Sequence, residues 1–108
     1  MRLHRAFIFA WLLFPLAVLA QQDQVPANPI TLIRVGQEQT QATKINEAIF
    51  QAIGFSNTFL ITTEAGNVII DTSMPFNATL HKRLLTAENA GPIKYIILTH
   101  AHGDHTGG

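Results

Sequence analysis

Residues 93–108 read IKYIILTHAHGDHTGG, and the reading of this stretch decides the rest of the chain. Ile93 to Leu98 is a short apolar run with a β-branched bias, the pattern of a strand buried on both faces. Directly after it come His100, His102, Asp104 and His105, so three of the four histidines beyond residue 20 fall within six residues. Imidazoles and a carboxylate packed this closely repel or desolvate one another with no return in stability unless a cation compensates. They also follow the carboxyl end of a strand, where open αβ sheets place their sites. Gly103, Gly107 and Gly108 are expected to let the backbone turn sharply and approach whatever is bound. The competing reading is a solvated histidine-rich tract.

Four donors in six residues are hard to wrap around one ion, because neighbouring residues point apart. Two ions are the economical arrangement, with His100 and His102 on one and Asp104 and His105 on the other. Each ion then needs further ligands. Imidazole and carboxylate without thiolate suit Zn²⁺ best, with Fe and Mn as alternatives.

Working outward, Ser56 to Thr63 (SNTFLITT) is rich in β-branched and aromatic residues, and Val68 to Asp71 resumes the apolar run. Glu64 to Asn67 between them reads as a four-residue turn, giving a β-hairpin. A helix is expected over residues 77–90, where Leu80, Leu84 and Ala87, with Phe76 just before, recur at helical spacing, Asn77 is the N-cap and Gly91-Pro92 a stop. Asn77-Ala-Thr79 also matches a glycosylation acceptor, although capping is the favoured role for that Asn. His81 reads as a surface residue, and Phe50, Phe55 and Phe59 as core rather than cleft. Strand, helix, strand in this order implies a crossover and a layered α/β architecture. Ile30 to Val35 reads as a short first strand, residues 36–44 as polar loop, and Ile45 to Phe50 as strand or helical turn.

Composition must be split before it is used. Sixteen of residues 1–20 are apolar, against 35 of the remaining 88. Arg2 and Arg5 precede an uncharged run from Ala6 to Ala20, and Val18-Leu-Ala20 offers a small residue before Gln21. This is the pattern of a signal peptide cleaved near Ala20-Gln21. The 15-residue run rises about 22 Å as a helix, short of the roughly 30 Å needed to stay as an anchor. A secreted or periplasmic protein with no stable membrane anchor is expected, and residues 21–44 are read as linker and first strand. Beyond residue 20, five Lys/Arg face seven Asp/Glu, so no basic face exists to collect phosphates and a nucleic-acid partner is excluded. The absence of cysteine excludes a disulfide scaffold, a thiolate metal site, a Cys nucleophile and an acylated lipoprotein. Because the chain stops just after its densest polar cluster, residues 45–108 are expected to be the N-terminal part of a longer domain.

His100-x-His102-x-Asp104-His105 followed by Gly107-Gly108 resembles the metal-binding signature of the metallo-β-lactamase superfamily. Residues 57–63, 66–72 and 93–99 resemble that family's opening hairpin and the strand leading to its site. Ile45 to Phe50 and Gly54 to Asn57 look further like its alkylsulfatase-related branch. Ser73 stands where many members have Gly. The resemblance implies an αββα sandwich with one or two metals in a cleft at its edge, and a hydrolase of small-molecule esters, lactams or sulfate esters. Metal-activated water is the nucleophile in that reading. Asp104 would bind metal and orient the water, and Asp71 would steady the ligand loop, a capping role for Asp71 being equally open. An iron-dependent oxidoreductase on the same fold and a non-catalytic metal-binding protein are the alternatives.

Overall fold

A computed structural model describes residues 28–108. The signal-peptide reading of residues 1–20 lies outside the described residues, as does the linker up to residue 27. The elements are α1 (Pro29–Ile33), β1 (Thr43–Lys44), β2 (Ile49–Ala52), β3 (Thr58–Thr63), β4 (Gly66–Ile70), α2 (Pro75–Glu88), β5 (Ile93–Ile97) and α3 (Gly103–Thr106). The five strands form one sheet in sequence order. All neighbours are antiparallel except β4 and β5, which α2 joins as a parallel pair. This is a mixed α/β unit consistent with the metallo-β-lactamase fold implied above.

Residues 30–35, expected as a strand, begin inside a short helix instead. Asn28 accepts the Ile30 amide through its side chain at 3.0 Å, and Pro29 occupies the first helical position with its φ already set. The polar segment after it is stitched to β2. Gln39 accepts the Ile53 amide at 2.8 Å and donates to the Gln51 carbonyl at 3.3 Å. The hairpin between β3 and β4 is tighter than expected, since Thr63 pairs directly with Gly66 across a two-residue turn. Gly66 sits at φ +126°, and a Cβ there would lie 2.7 Å from Lys94 Cγ and 2.8 Å from the Pro92 carbonyl. Only glycine fits.

One face of the sheet presents Phe50, Ala52, Thr58, Leu60 and Ile69, and α2 closes over it with Leu84 and Leu85. Burying each leucine contributes about 2 kcal/mol. The opposite face carries Ile49, Phe59, Ile61, Val68 and Ile70, all half-buried, and α2 is the only described helix that packs on the sheet. Phe50 is core as expected, Phe59 is intermediate, and Phe55 is exposed. β5, expected to be buried on both faces, is exposed along its whole length among the described residues, because nothing described lies over it.

The helix departs from its sequence reading in an instructive way. α2 starts two residues early, at Pro75, and its N-cap Met74 makes no side-chain bond. Its buried positions are Asn77, His81, Leu84 and Leu85, whereas Phe76 and Ala87 face outward. Asn77 is therefore neither cap nor glycosylation acceptor in the folded chain. Its side chain is fully buried, and its Oδ1 accepts from the Phe55 amide at 3.4 Å and lies 3.3 Å from the Ser73 hydroxyl oxygen.

His81, read as a surface residue, is 2% exposed. Its Nε2–H donates to the Ile53 carbonyl at 3.1 Å, which leaves Nδ1 to accept from the Thr58 hydroxyl at 2.9 Å. Gly54 lies against the ring, where a Cβ would come within 2.8 Å of Nε2. Burial lowers the imidazole pKa, and the bond to Ile53 reverses only part of that. The folded state thus holds His81 neutral. Its contribution to stability is present above the unfolded value near ~6.5 and is lost as pH falls below that toward the folded value. His81→Ala in the full-length protein is expected to cost about 3 kcal/mol, from a cavity and two abandoned partners. Denaturant unfolding at pH 7.5 and 5.5 checks both points, because the variant should be weaker at both and less sensitive to acid.

Candidate metal centre

The ligand stretch leaves the end of β5, crosses to α3, and is held in place by the turn that leaves β4. Three backbone bonds make that attachment: Asp71 N to Ile97 O and Thr72 N to His105 O, each at 2.9 Å, and Gly107 N to Ser73 O at 2.9 Å. Gly107 and Gly108 serve this packing. A Cβ on Gly107 would lie 2.6 Å from Pro75 Cδ, and one on Gly108 would collide with the Thr72 carbonyl, while Gly103 has open space around it. The turn itself is strained, with Asp71 at φ 56° and Ser73 at φ 62°. Ser73 holds this left-handed conformation, which glycine adopts at no steric cost, by donating its hydroxyl to the Ser56 carbonyl.

Asp71 is 5% exposed and accepts three hydrogen bonds. Thr99 donates its amide to Oδ1 at 2.8 Å and its hydroxyl to Oδ2 at 2.8 Å, and His105 donates Nδ1–H to Oδ2 at 2.7 Å. Burial alone would raise this carboxyl. The bonds from the Thr99 amide, His105 and the Thr99 hydroxyl outweigh it and hold the pKa below the ordinary carboxylate value. Since the ionised carboxylate can only accept, His105 carries its proton on Nδ1 and presents the Nε2 lone pair.

The same donor counting fixes His100. The single hydroxyl hydrogen of Thr99 is spent on Asp71, so its oxygen accepts from His100 Nδ1 at 3.1 Å, and His100 presents Nε2 as well. That Nε2 faces His102 Nδ1 at 3.1 Å, and His105 Nε2 faces Asp104 Oδ2 at 3.3 Å. The rings of His100 and His105 lie side by side, with centroids 4.0 Å apart. Ser56 completes the rim, with its hydroxyl 3.4 Å from His105 Nδ1.

The four sequence-derived donors lie near one another, His100 Nε2 against His102 Nδ1 and His105 Nε2 against Asp104 Oδ2. Among the described residues, no group of three or more His, Asp or Glu side chains is arranged to hold a metal ion by itself. Two donors on a tetrahedral ion with bonds of 2.0–2.1 Å are about 3.3 Å apart. Both pairs lie close to that spacing, and their donor atoms suit a divalent cation of the zinc type. Sequence reasoning passed over Thr99 and Ser56. A hydroxyl residue directly before the first ligand is the only signal that pointed to Thr99.

A family profile described as the metallo-beta-lactamase superfamily matches residues 52–108. The lactamase-like protein vrtG of Penicillium aethiopicum is 36% identical over 91 residues, covering 82% of this chain and 28% of its own. The beta-lactamase-like protein 2 homolog of Caenorhabditis elegans is 35% identical over 78 residues, covering 60% of this chain and 26% of its own. The chain therefore spans only about a quarter of the length of these relatives. No solved structure matches it.

Proposed function

The chain belongs to the metallo-β-lactamase superfamily, and from that premise we propose that it forms the ligand-bearing part of a zinc-dependent hydrolase of esters, lactams or sulfate esters. The observation that carries this reading is the pair of donor couples, His100 with His102 and His105 with Asp104, in which His100 and His105 are held by Thr99 and Asp71 to present Nε2. His100, His102, Asp104 and His105 would hold the zinc, which would supply Lewis acidity toward a water nucleophile and positive charge in the cleft. Asp104 has a second task. The carboxylate oxygen not facing His105 is free to accept a proton from the attacking water and orient it. Asp71 works at one remove, fixing the His105 ring and tautomer without entering the cleft. A three- or four-donor shell needs donors beyond these four. Export through residues 1–20, with a mature protein starting near Gln21, is part of the same reading.

The test is turnover of generic ester, lactam and sulfate-ester substrates by purified full-length protein. Hydrolysis abolished by a chelator and restored by zinc is the expected result. Bound zinc with no turnover of any of the three overturns the hydrolase reading in favour of a binding protein. Stoichiometric iron without hydrolysis overturns it in favour of an oxidoreductase.

A further inference from the structure

Thr99 stands at a junction that the proposed chemistry does not itself require. Its hydroxyl lies 2.8 Å from Asp71 Oδ2, 3.1 Å from His100 Nδ1 and 3.5 Å from His105 Nδ1. His100 belongs to one donor pair and His105 to the other. The two pairs therefore share one hydroxyl and one carboxylate behind them, through the chain His100–Thr99–Asp71–His105.

We propose that Thr99 is a positioning residue that couples the two pairs, so that a divalent cation held by one raises the affinity of the other. The inference rests on the metal-binding reading above. Its logic is rotamer selection. Only one χ1 setting of Thr99 lets the hydroxyl donate to Asp71 while accepting from His100. A cation on His100 and His102 fixes the His100 ring with Nδ1–H toward Thr99, which holds Thr99 in that setting. Asp71 then keeps its full set of donors and its orientation, and His105 is already aimed when the second cation arrives. Ordering completed by the first ligand need not be repeated for the second, which is positive cooperativity without a change of fold. By reciprocity the same factor acts in the other direction.

The experiment titrates metal-free, full-length protein with Co²⁺ alone. The two steps are followed by the cobalt absorption bands and by competition with a chromophoric chelator. Wild type should bind the second cation about fivefold or more tighter than independent sites allow. Thr99→Val keeps the shape and β-branching and deletes the hydroxyl. It should weaken both steps about 10–100-fold and bring the coupling factor to about one. Thr99→Ser, which restores the hydroxyl without the methyl, should restore the coupling. A merely structural role would weaken both variants and leave the ratio of the two steps unchanged. Should the valine variant fail to fold, Thr99→Ala makes the same deletion. Independent constants in wild type overturn the coupling alone, as does an unchanged ratio in the hydroxyl-deleted variant. A wild type that takes up no cation overturns the metal reading with it.

Discussion

Asp104→Ala in the full-length protein is expected to lower kcat by about three orders of magnitude and to stay low at saturating zinc. The side chain has two duties in the proposed mechanism. Excess metal can refill a position weakened by the loss of one donor, but it cannot replace a carboxylate that aligns and deprotonates the attacking water, a role typically worth about 10²–10⁴-fold. His102→Ala is the control, because it removes a donor and nothing else, and excess zinc should restore much of its rate. Metal stoichiometry and kcat for the two variants, measured at the same saturating zinc, separate the duties. If Asp104→Ala keeps near-full activity, the cluster is a binding tract and the hydrolase reading fails.

Asp71→Asn should be nearly as damaging, although the residue never meets substrate. The amide keeps the shape but offers one acceptor where the carboxylate offers two. Its oxygen remains opposite the Thr99 amide, which leaves its NH₂ facing the Thr99 hydroxyl and His105 Nδ1. His105 Nδ1 must then accept, so the ring proton moves to Nε2, the atom that faces Asp104. A protonated Nε2 cannot bind metal. Affinity at the His105–Asp104 pair is expected to fall at least about 10–100-fold, the range for a group that orients a ligand, while the His100–His102 pair loses less. Cobalt titration resolves the two steps, and the ¹⁵N shifts of His105 report its tautomer directly. Unchanged affinity with an unchanged tautomer would show that Asp71 merely caps the turn. In wild type, the support Asp71 gives is present above the unfolded carboxyl value near ~3.9 and lost only as pH falls through its lowered folded value.

The elements whose pattern is dictated by burial on a sheet were readable from the amino acids. β3, β4 and β5 announce themselves by β-branched runs, although β5 is exposed among the described residues, and the candidate site by its density of histidine. The failures have a common cause. Apolarity marks only part of the inward face of α2, because that face includes Asn77 and His81, polar residues whose bonds to Phe55, Thr58 and Ile53 are made across 22 to 28 residues of chain. Such partners do not show in a local window. The strand expected at Ile30 to Val35 fails differently, for the Asn28-Pro29 helix start outweighs a weak alternation. Ser73 stands where many members of the family have Gly. The left-handed backbone at that position explains why Gly is the common choice and what the Ser73 hydroxyl contributes in return.

The parallel pairing of β4 with β5 has a consequence for the order in which the protein is built. β2, β3 and β4 are joined by short connections and can zip from local encounters. The Asp71–Thr99 and Asp71–His105 contacts span 28 and 34 residues and require α2 to have formed and crossed first. Closing such a loop costs entropy before any contact offsets it, so this pairing belongs to the slow part of folding. The histidines consequently remain unorganised until the crossover is complete. On the metal-binding reading proposed above, cations that arrive early would meet donors with free choice of partners, and nascent chains would be open to mismetallation. In hydrogen-exchange pulse labelling, amides of β3 and β4 should gain protection before that of Thr99, with the interval between them marking the window in which the wrong metal can be trapped.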